Sequence, residues 1–378
     1  MKLLYVASDQ VVPGRTGGSV HVLEVARGLA ARGHALHVVT RRAPGQAVRE
    51  TAGVLTFYRI RWIPPQRLFR FRARAAVQAL CAELRPDAVM ERYYNFGGEG
   101  VVAAARLGIP SLLEVNSPAV DHPGSLKGAL DAAALVRPMR RYREGLCRQA
   151  AALVAPIPEI VPEFARAKTA IVSWGANVEA FRPGRSQARR RELGVPDGAV
   201  VALFSGSFRP WHGVHVFEAA ARVLAGRPEL YFLLAGGPQA GPGQGYRGAR
   251  LGSLPYERMP EVVADADIGV APYDTSRLRQ LSLGFYWSPL KLFEYMACGL
   301  PSVTIPRAPL TEIVREDREG VFFREGDAAD LARAIEALAA APERRAALGQ
   351  SARLRVVERY SWARHCEQLE GVLRRIAR

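Results

Sequence analysis

Apolar residues recur along this chain in short runs separated by amphipathic stretches. Residues 3–7 form an apolar run of strand length, and residues 19–31 place Val22, Val25, Ala26 and Leu29 at helical spacing. Arg32, Gly33 and His34 end that helix, and residues 35–40 are strand-like again, which predicts a βαβ unit. Further strands are predicted at 88–90, 110–115, 152–156, 200–205, 230–235, 268–271 and 302–305. Helical patterns lie between most of them, so the predicted fold class is α/β, with parallel sheets covered by helices on both faces. The halves divide near residues 168–185, where a strand-like 170–173 runs into Trp174-Gly175-Ala176-Asn177 and then Phe181-Arg182-Pro183-Gly184. The predicted domains are 1–172 and 173–360. The last segment, 361–378, repeats Leu369, Val372, Leu373 and Ile376 at helical spacing.

Length agrees with two domains, because 378 residues exceed the roughly 250–300 that one core supports. No apolar run reaches the roughly 18 residues of a membrane-spanning helix, and the N-terminus meets Asp9 without a signal-peptide layout, so a cytoplasmic location is expected. Cys81, Cys147, Cys298 and Cys366 lie far apart and are expected as buried thiols rather than zinc ligands or disulfides. The net charge of +16 is uneven: residues 1–170 hold 24 basic against 13 acidic side chains, a surplus of 11, which leaves 5 for the rest. The first half therefore favours an anionic partner. Four of the 52 basic residues are lysines, and no nucleic-acid-binding motif accompanies the charge.

Ligands of doubly wound sheets bind where strand ends lead into helix N-termini. After the first strand, Pro13-Gly14-Arg15-Thr16-Gly17-Gly18-Ser19 suits a phosphate or a sugar, or is a turn that only permits the bend. It lacks the G-x-G-x-x-G order, and the second strand ends at Thr40-Arg41-Arg42 with no acidic residue for a ribose, which argues against a dinucleotide. The segment from Ser288 to Pro301 is more informative. Ser288 is a good N-cap, Pro289 suits the first helical position, and Gly299 with Pro301 stops the helix after about three turns. Its N-terminus and Lys291 suit a diphosphate, and Glu294, three residues on, suits a vicinal diol such as ribose. The competing reading is a surface ion pair at i, i+3.

With these pieces in place, the chain resembles family 4 glycosyltransferases. The matching elements are Gly17-Gly18 with His21 and then Gly33-His34; Ser205 to Phe208 leading to His212-Gly213-Val214; Leu234 to Pro238; Ala264-Asp265-Ala266-Asp267; and Ser288 to Pro301. The resemblance implies the GT-B architecture, two Rossmann-like domains facing across a cleft, with a nucleotide-diphosphate sugar as co-substrate and no other cofactor or metal. It implies that Glu294 holds the ribose and that the amides of Leu290, Lys291 and Leu292 hold the diphosphate, with Gly17, Gly18, Ser207, Arg209, His212 and Ser288 completing the donor site. It also implies that the C-terminal helix crosses back from the second domain to the first. Three departures from the family pattern stand out. Tyr286 stands where many relatives have a glutamate for the donor sugar. Ser207 and His212 replace a usual Arg and Lys, so neutralisation falls to Lys291 and Arg209. Asn116 occupies the place of a histidine.

For transfer with retention the family pattern implies electrostatic stabilisation of the leaving phosphate by Lys291, Arg209 and the helix N-terminus, with Asn116 orienting a sugar hydroxyl. The acceptor side is expected on the first domain, where residues 59–74 mix arginine with apolar residues, Arg61, Trp62, Arg67 and Arg70 among them, and 137–148 adds a second basic stretch. These suit an anionic membrane surface or a lipid-linked or glycan acceptor, or form a solvated arginine face. Rival readings are a sugar-nucleotide epimerase of the same fold and a catalytically silent nucleotide-sugar-binding scaffold.

Overall fold

The computed structural model describes residues 1–14, 16–62, 66–95, 97–122, 137–286 and 289–377, without the side chains of 66–70, 137 and 138. The chain forms two compact units: Met1–Trp174 with Tyr286–Ser288 and Trp362–Arg378, and Gly175–Phe285 with Pro289–Ser361.

The first unit runs β1 (Lys2–Val11), α1 (Gly17–Ala31), β2 (Ala35–Arg42), β3 (Arg49–Ala52), β4 (Leu55–Arg61), α2 (Gln66–Leu84), β5 (Ala88–Arg92), α3 (Glu99–Leu107), β6 (Ser111–Glu114), α4 (Arg137–Gln149), β7 (Ala152–Ala155) and β8 (Thr169–Ile171). Its sheet has the order β3-β4-β2-β1-β5-β6-β7-β8, parallel apart from the β3–β4 pair. The order reverses between β1 and β5. Leu4, Val6, Val39, Ile60 and Val89 from the strands pack with Ala73, Val77 and Cys81 of α2, while Val22, Val25, Ala26 and Leu29 of α1 are fully buried, the stripe their spacing predicts. The C-terminal helix (Trp362–Ile376) belongs to this unit. It closes against α1, where Cys366 lies so near Gly28 that a Cβ there would collide with the sulfur. Glu370 also receives Arg32 and His34.

The second unit runs α5 (Gln187–Glu192), β9 (Val200–Ser205), α6 (Val214–Val223), β10 (Leu230–Pro242), β11 (Gly248–Gly252), α7 (Met259–Ala264), β12 (Ile268–Ala271), α8 (Leu290–Ala297), β13 (Ser302–Thr304), α9 (Leu310–Ile313), β14 (Gly320–Phe322), α10 (Ala328–Ala339) and α11 (Pro342–Arg359). Its parallel sheet is β11-β10-β9-β12-β13-β14, with the reversal between β9 and β12. Asp265 and Asp267, just before β12, anchor the start of the unit. Asp267 accepts from the Val201 N–H at 2.8 Å and pairs with Arg185 and Arg190, while Asp265 takes Arg189 at 2.7 Å. The four cysteines are buried free thiols.

Several boundaries differ from the sequence expectation. β1 continues to Val11, and α1 starts at Gly17, so the glycine pair opens the helix instead of lying in the loop. The edge hairpin β3–β4 was not expected, because its strands carry arginine at alternate positions. Arg59 within it is 4% exposed and pairs with Glu50 at 2.7 Å, so the 59–74 stretch is not one continuous basic face. Helix α8 begins at Leu290 with Pro289 at the cap and ends at Ala297, about two turns instead of three.

Candidate functional site

Both units place chemistry at the sheet reversal, the position where doubly wound sheets open a crevice. In the second unit, β9 leads into Gly206, whose φ is +133°, and Gly236, at +122°, lies within β10 just past the end of its pairing with β9. A Cβ on Gly236 would overlap the Gly206 carbonyl, so the two segments come this close only because Gly236 has no side chain. Lys291, in the first turn of α8, reaches into this corner. Its Nζ lies 4.1 Å from the centre of the Phe204 ring and 5.2 Å from that of Tyr273, at the ends of β9 and β12. Lys291 is 7% exposed, and its ammonium is buried without a hydrogen-bond partner. Burial brings its pKa down to about 7.

One turn deeper, Glu294 is equally buried and accepts a hydrogen bond from the Tyr256 hydroxyl at 3.2 Å. Burial lifts its pKa to about 7, against the Tyr256 bond and Lys291, which favour the carboxylate. Among the described residues neither Lys291 nor Glu294 has an ion-pair partner, which removes the reading of a surface pair. His212 is held by its Nδ1 against the Ser207 carbonyl. Burial first, and Lys291 second, bring it down to about 2, so it stays neutral; Nδ1 carries the proton and Nε2 is left as an acceptor. Ser207 and Arg209 are exposed on the same loop. Of the three α8 amides expected for a diphosphate, that of Leu292 already donates to the Pro289 carbonyl at 2.8 Å, a tightening common in first turns. That leaves the amides of Leu290 and Lys291 for a ligand. Ser288 lies outside the described residues. Tyr286 is buried and belongs to the first unit.

At the reversal of the first sheet, Asp9 near the end of β1 and Arg92 at the end of β5 pair at 3.2 Å. Thr16 caps α1 by accepting from the Ser19 amide at 3.2 Å, and a Cβ on Gly18 would press on Gln10 Oε1 and Arg92. Four residues into the helix, His21 is fully buried with Nε2 2.7 Å from Glu114 Oε1, and Tyr5 donates to Glu114 Oε2 at 2.9 Å. His365 of the C-terminal helix donates from Nδ1 to the Ser173 carbonyl at 2.8 Å. Burial works to raise Glu114, but His21, His365 and Arg92 outweigh it and hold it at about 2. Ligand atoms of His21, Glu114 and His365 all lie within 4.8 Å of one another. The 2.7 Å approach fits an ion pair, since two ligands on one tetrahedral zinc at ordinary bond lengths stand about 3.3 Å apart. Asn116, two residues past Glu114, is 7% exposed.

On the expected acceptor side, Arg61 is exposed at the end of β4, and Trp62 lies beneath the Arg41 guanidinium at 4.6 Å. The side chains of Arg67 and Arg70 lie outside the described residues. The 137–148 stretch is partly neutralised: Arg143 pairs with Asp121 at 2.8 Å, and Arg140 and Arg148 both pair with Glu144. Tyr256, Asp9 and Arg92 were missed by sequence reasoning. Asp9 and Arg92 were in principle findable, since both sit at predicted strand ends flanking the reversal.

The model for "Glycosyltransferase Family 4" matches residues 15–170, and one described as "Glycosyl transferase-like" matches 214–371. A D-inositol 3-phosphate glycosyltransferase of Geodermatophilus obscurus is 31% identical, covering 96% of this chain and 85% of the relative. The chain belongs to glycosyltransferase family 4. The enzyme of the same name from Stackebrandtia nassauensis is 28% identical over 96% of the chain and 88% of its own. Among solved structures, sucrose-phosphate synthase of Thermosynechococcus elongatus has a TM-score of 0.74 at 20% identity, covering 99% of this chain and 98% of that one. HepE of Anabaena, solved with UDP-glucose, gives 0.69 at 15% identity, covering 99% and 100%. The fold of this family 4 glycosyltransferase is GT-B.

The Glu114 cluster generates a pH prediction. A folded-state pKa of about 2, below the usual glutamate value of 4.5, contributes stability that is present above 4.5 and lost as pH falls toward 2. Glu114→Gln should destabilise the protein by about 1–3 kcal/mol at neutral pH. The gap between the two proteins should narrow on acidification through that window, followed by urea unfolding. A gap independent of pH would show that His21 and His365 do not bias the carboxylate.

Proposed function

We propose that this glycosyltransferase moves a sugar from a nucleotide-diphosphate donor to a glycan or lipid-linked acceptor, with retention and without a metal. The observation that carries the reading is the partnerless Lys291 ammonium, buried at the sheet reversal with Glu294 one turn deeper on the same helix. A cation without a counter-ion in a dry corner is a poor structural element and a good anion site. The HepE complex with UDP-glucose supports a nucleotide-sugar donor.

In the proposed reaction, the bond from the anomeric carbon to the diphosphate oxygen breaks and the bond to the acceptor oxygen forms. The acceptor's proton passes to the leaving diphosphate. Lys291, the Leu290 and Lys291 amides and Arg209 stabilise the charge that develops there, while Glu294 accepts from the ribose hydroxyls. The acceptor lies with the first unit, whose positive surplus suits the anionic acceptors that the inositol-phosphate relatives are named for. Among the described residues no helix is long and apolar enough to cross a membrane. Exposed Arg61 and Phe71 favour peripheral docking at a cytoplasmic membrane face.

The donor reading is tested by a thermal-shift screen of UDP-, GDP- and ADP-sugars, in which a ligand at 100 times its Kd adds about 2.7 kcal/mol of stability. Glu294→Gln should weaken the selected nucleotide sugar and its nucleoside diphosphate alike by about 1–3 kcal/mol. No stabilisation by any of these sugars, or unchanged affinity in the variant, refutes the assignment.

The two buried groups also set a pH profile. A bound diphosphate needs Lys291 protonated, so affinity falls as pH rises through its free value of about 7; a bound ribose needs Glu294 ionised, so affinity falls as pH drops through its own. Nucleotide-sugar affinity should therefore be bell-shaped with a maximum near pH 7. Titration calorimetry across neutral pH measures it, and a flat profile would show that the two groups do not change protonation on binding.

For the acceptor side, co-sedimentation with liposomes should increase with anionic lipid and decrease with salt. Equal binding to neutral and anionic vesicles would remove the membrane from this reading.

A further inference from the structure

Tyr256 holds Glu294 from a separate element of the second unit. It begins the single turn Tyr256–Arg258 that leads from β11 into α7, and its hydroxyl donates to Glu294 Oε1 at 3.2 Å. The phenol is backed by Phe181, whose fully buried ring stands 5.8 Å away at 51°. Phe181 is fixed in turn: its amide donates to the Asn177 carbonyl at 2.8 Å, and its own carbonyl accepts from Arg353 at 2.9 Å.

A carboxylate taken out of water needs donors to stay ionised. Lys291 favours the charge of Glu294 from one turn earlier, without an ion pair between them. Tyr273, Tyr295 and Cys298 also feel that charge, and burial lifts all three, so they stay protonated and uncharged at neutral pH. Arg353, on α11, is taken up by the carbonyls of Val178, Phe181 and Ala297. Among the described residues, the Tyr256 hydroxyl is therefore the direct partner that favours the ionised carboxylate, against the burial that disfavours it. A hydroxyl has one proton to give, so it takes Oε1 and leaves the second oxygen for a ligand.

We propose that Tyr256 is a positioning residue for Glu294: its hydroxyl fixes the carboxylate, ionised and with one oxygen left free, for the vicinal diol of a ribose. This rests on the donor reading above, in which Glu294 holds the ribose. It assigns ribose recognition to two side chains brought together by α8 and the turn between β11 and α7, and it ties that recognition to the proton on Glu294.

The test uses the full chain with UDP, GDP and ADP, their 2′,3′-dideoxy counterparts and inorganic pyrophosphate, in titration calorimetry from about pH 6 to about pH 8.5. Tyr256→Phe keeps the ring against Phe181 and removes the hydroxyl. It should weaken the nucleoside diphosphate that the wild type binds best by about three- to tenfold near pH 7. The loss should grow toward the acid end and shrink toward the alkaline end, because without the hydroxyl Glu294 takes up its proton at higher pH. The dideoxy nucleotide and pyrophosphate offer Glu294 no diol, so they should bind variant and wild type within about twofold of each other. In the Glu294→Gln background, Tyr256→Phe should add nothing, because the tyrosine acts through the carboxylate. The same loss at every pH, the same loss with the dideoxy nucleotide, or a further loss in the Glu294→Gln background makes the tyrosine a merely structural element and overturns the proposal. Tighter binding by Tyr256→Phe also overturns it, since the hydroxyl would then block the diol. A wild type that binds none of the diphosphates, or a Glu294→Gln variant that binds them as well as the wild type, overturns this proposal together with the donor reading. A weakened Glu294→Gln beside an unaffected Tyr256→Phe overturns this one alone.

Discussion

The second unit depends on keeping an ammonium group dry. A fall in the Lys291 pKa from the ordinary 10.5 to about 7 corresponds to roughly 5 kcal/mol of disfavour for the charged form. Everything around it follows from sustaining that arrangement. The Phe204 and Tyr273 rings present their faces to Nζ, which recovers part of the lost hydration. Gly236 lets β10 approach the Gly206 carbonyl more closely than any residue with a side chain would allow. His212 stays neutral beside Lys291 and adds no second positive charge. Glu294 is lifted toward neutrality by the same dryness.

The first unit has the same strand order around its reversal and a different electrostatic solution. There Asp9 and Arg92 pair across the gap, and charge deeper in the unit is satisfied internally through Glu114 with His21, Tyr5 and Arg92. Two topologically equivalent crevices therefore differ in what they can bind. One presents an uncompensated cation to an anionic ligand. The other presents neutral and self-paired groups.

The sequence pattern showed the α/β alternation because buried parallel strands are continuous apolar runs and α1 has a clean 3.6-residue stripe. It also located Lys291 and Glu294, since cap chemistry and i, i+3 spacing are local. What escaped it was non-local or charged. The β3–β4 hairpin carries Arg49, Arg59 and Arg61, which do not resemble strand residues until Arg59 is seen folded inward onto Glu50. Tyr256 meets Glu294 across 38 positions and Trp174 meets Asn116 across 58, separations that no periodicity encodes. Strands β11 and β14 are short and contain glycine, so neither makes an apolar run.

The arginine excess needs the same distinction between local and structural roles. A net charge of +16 invites a surface interpretation, yet some of the arginine is used inside. Arg190 is 3% exposed and bridges Asp267 to backbone carbonyls, and Arg353 donates to the carbonyls of Val178, Phe181 and Ala297 at 2.8–3.0 Å. A planar guanidinium suits this because its several N–H groups can satisfy carbonyls on separate segments at once, which an ammonium on a flexible stem does poorly. Lysine is correspondingly scarce. The one lysine in the second unit stands where no carboxylate or carbonyl completes it. A guanidinium at that corner would require several acceptors that two aromatic faces and a glycine loop do not supply, whereas a compact ammonium can lie against the Phe204 and Tyr273 ring faces.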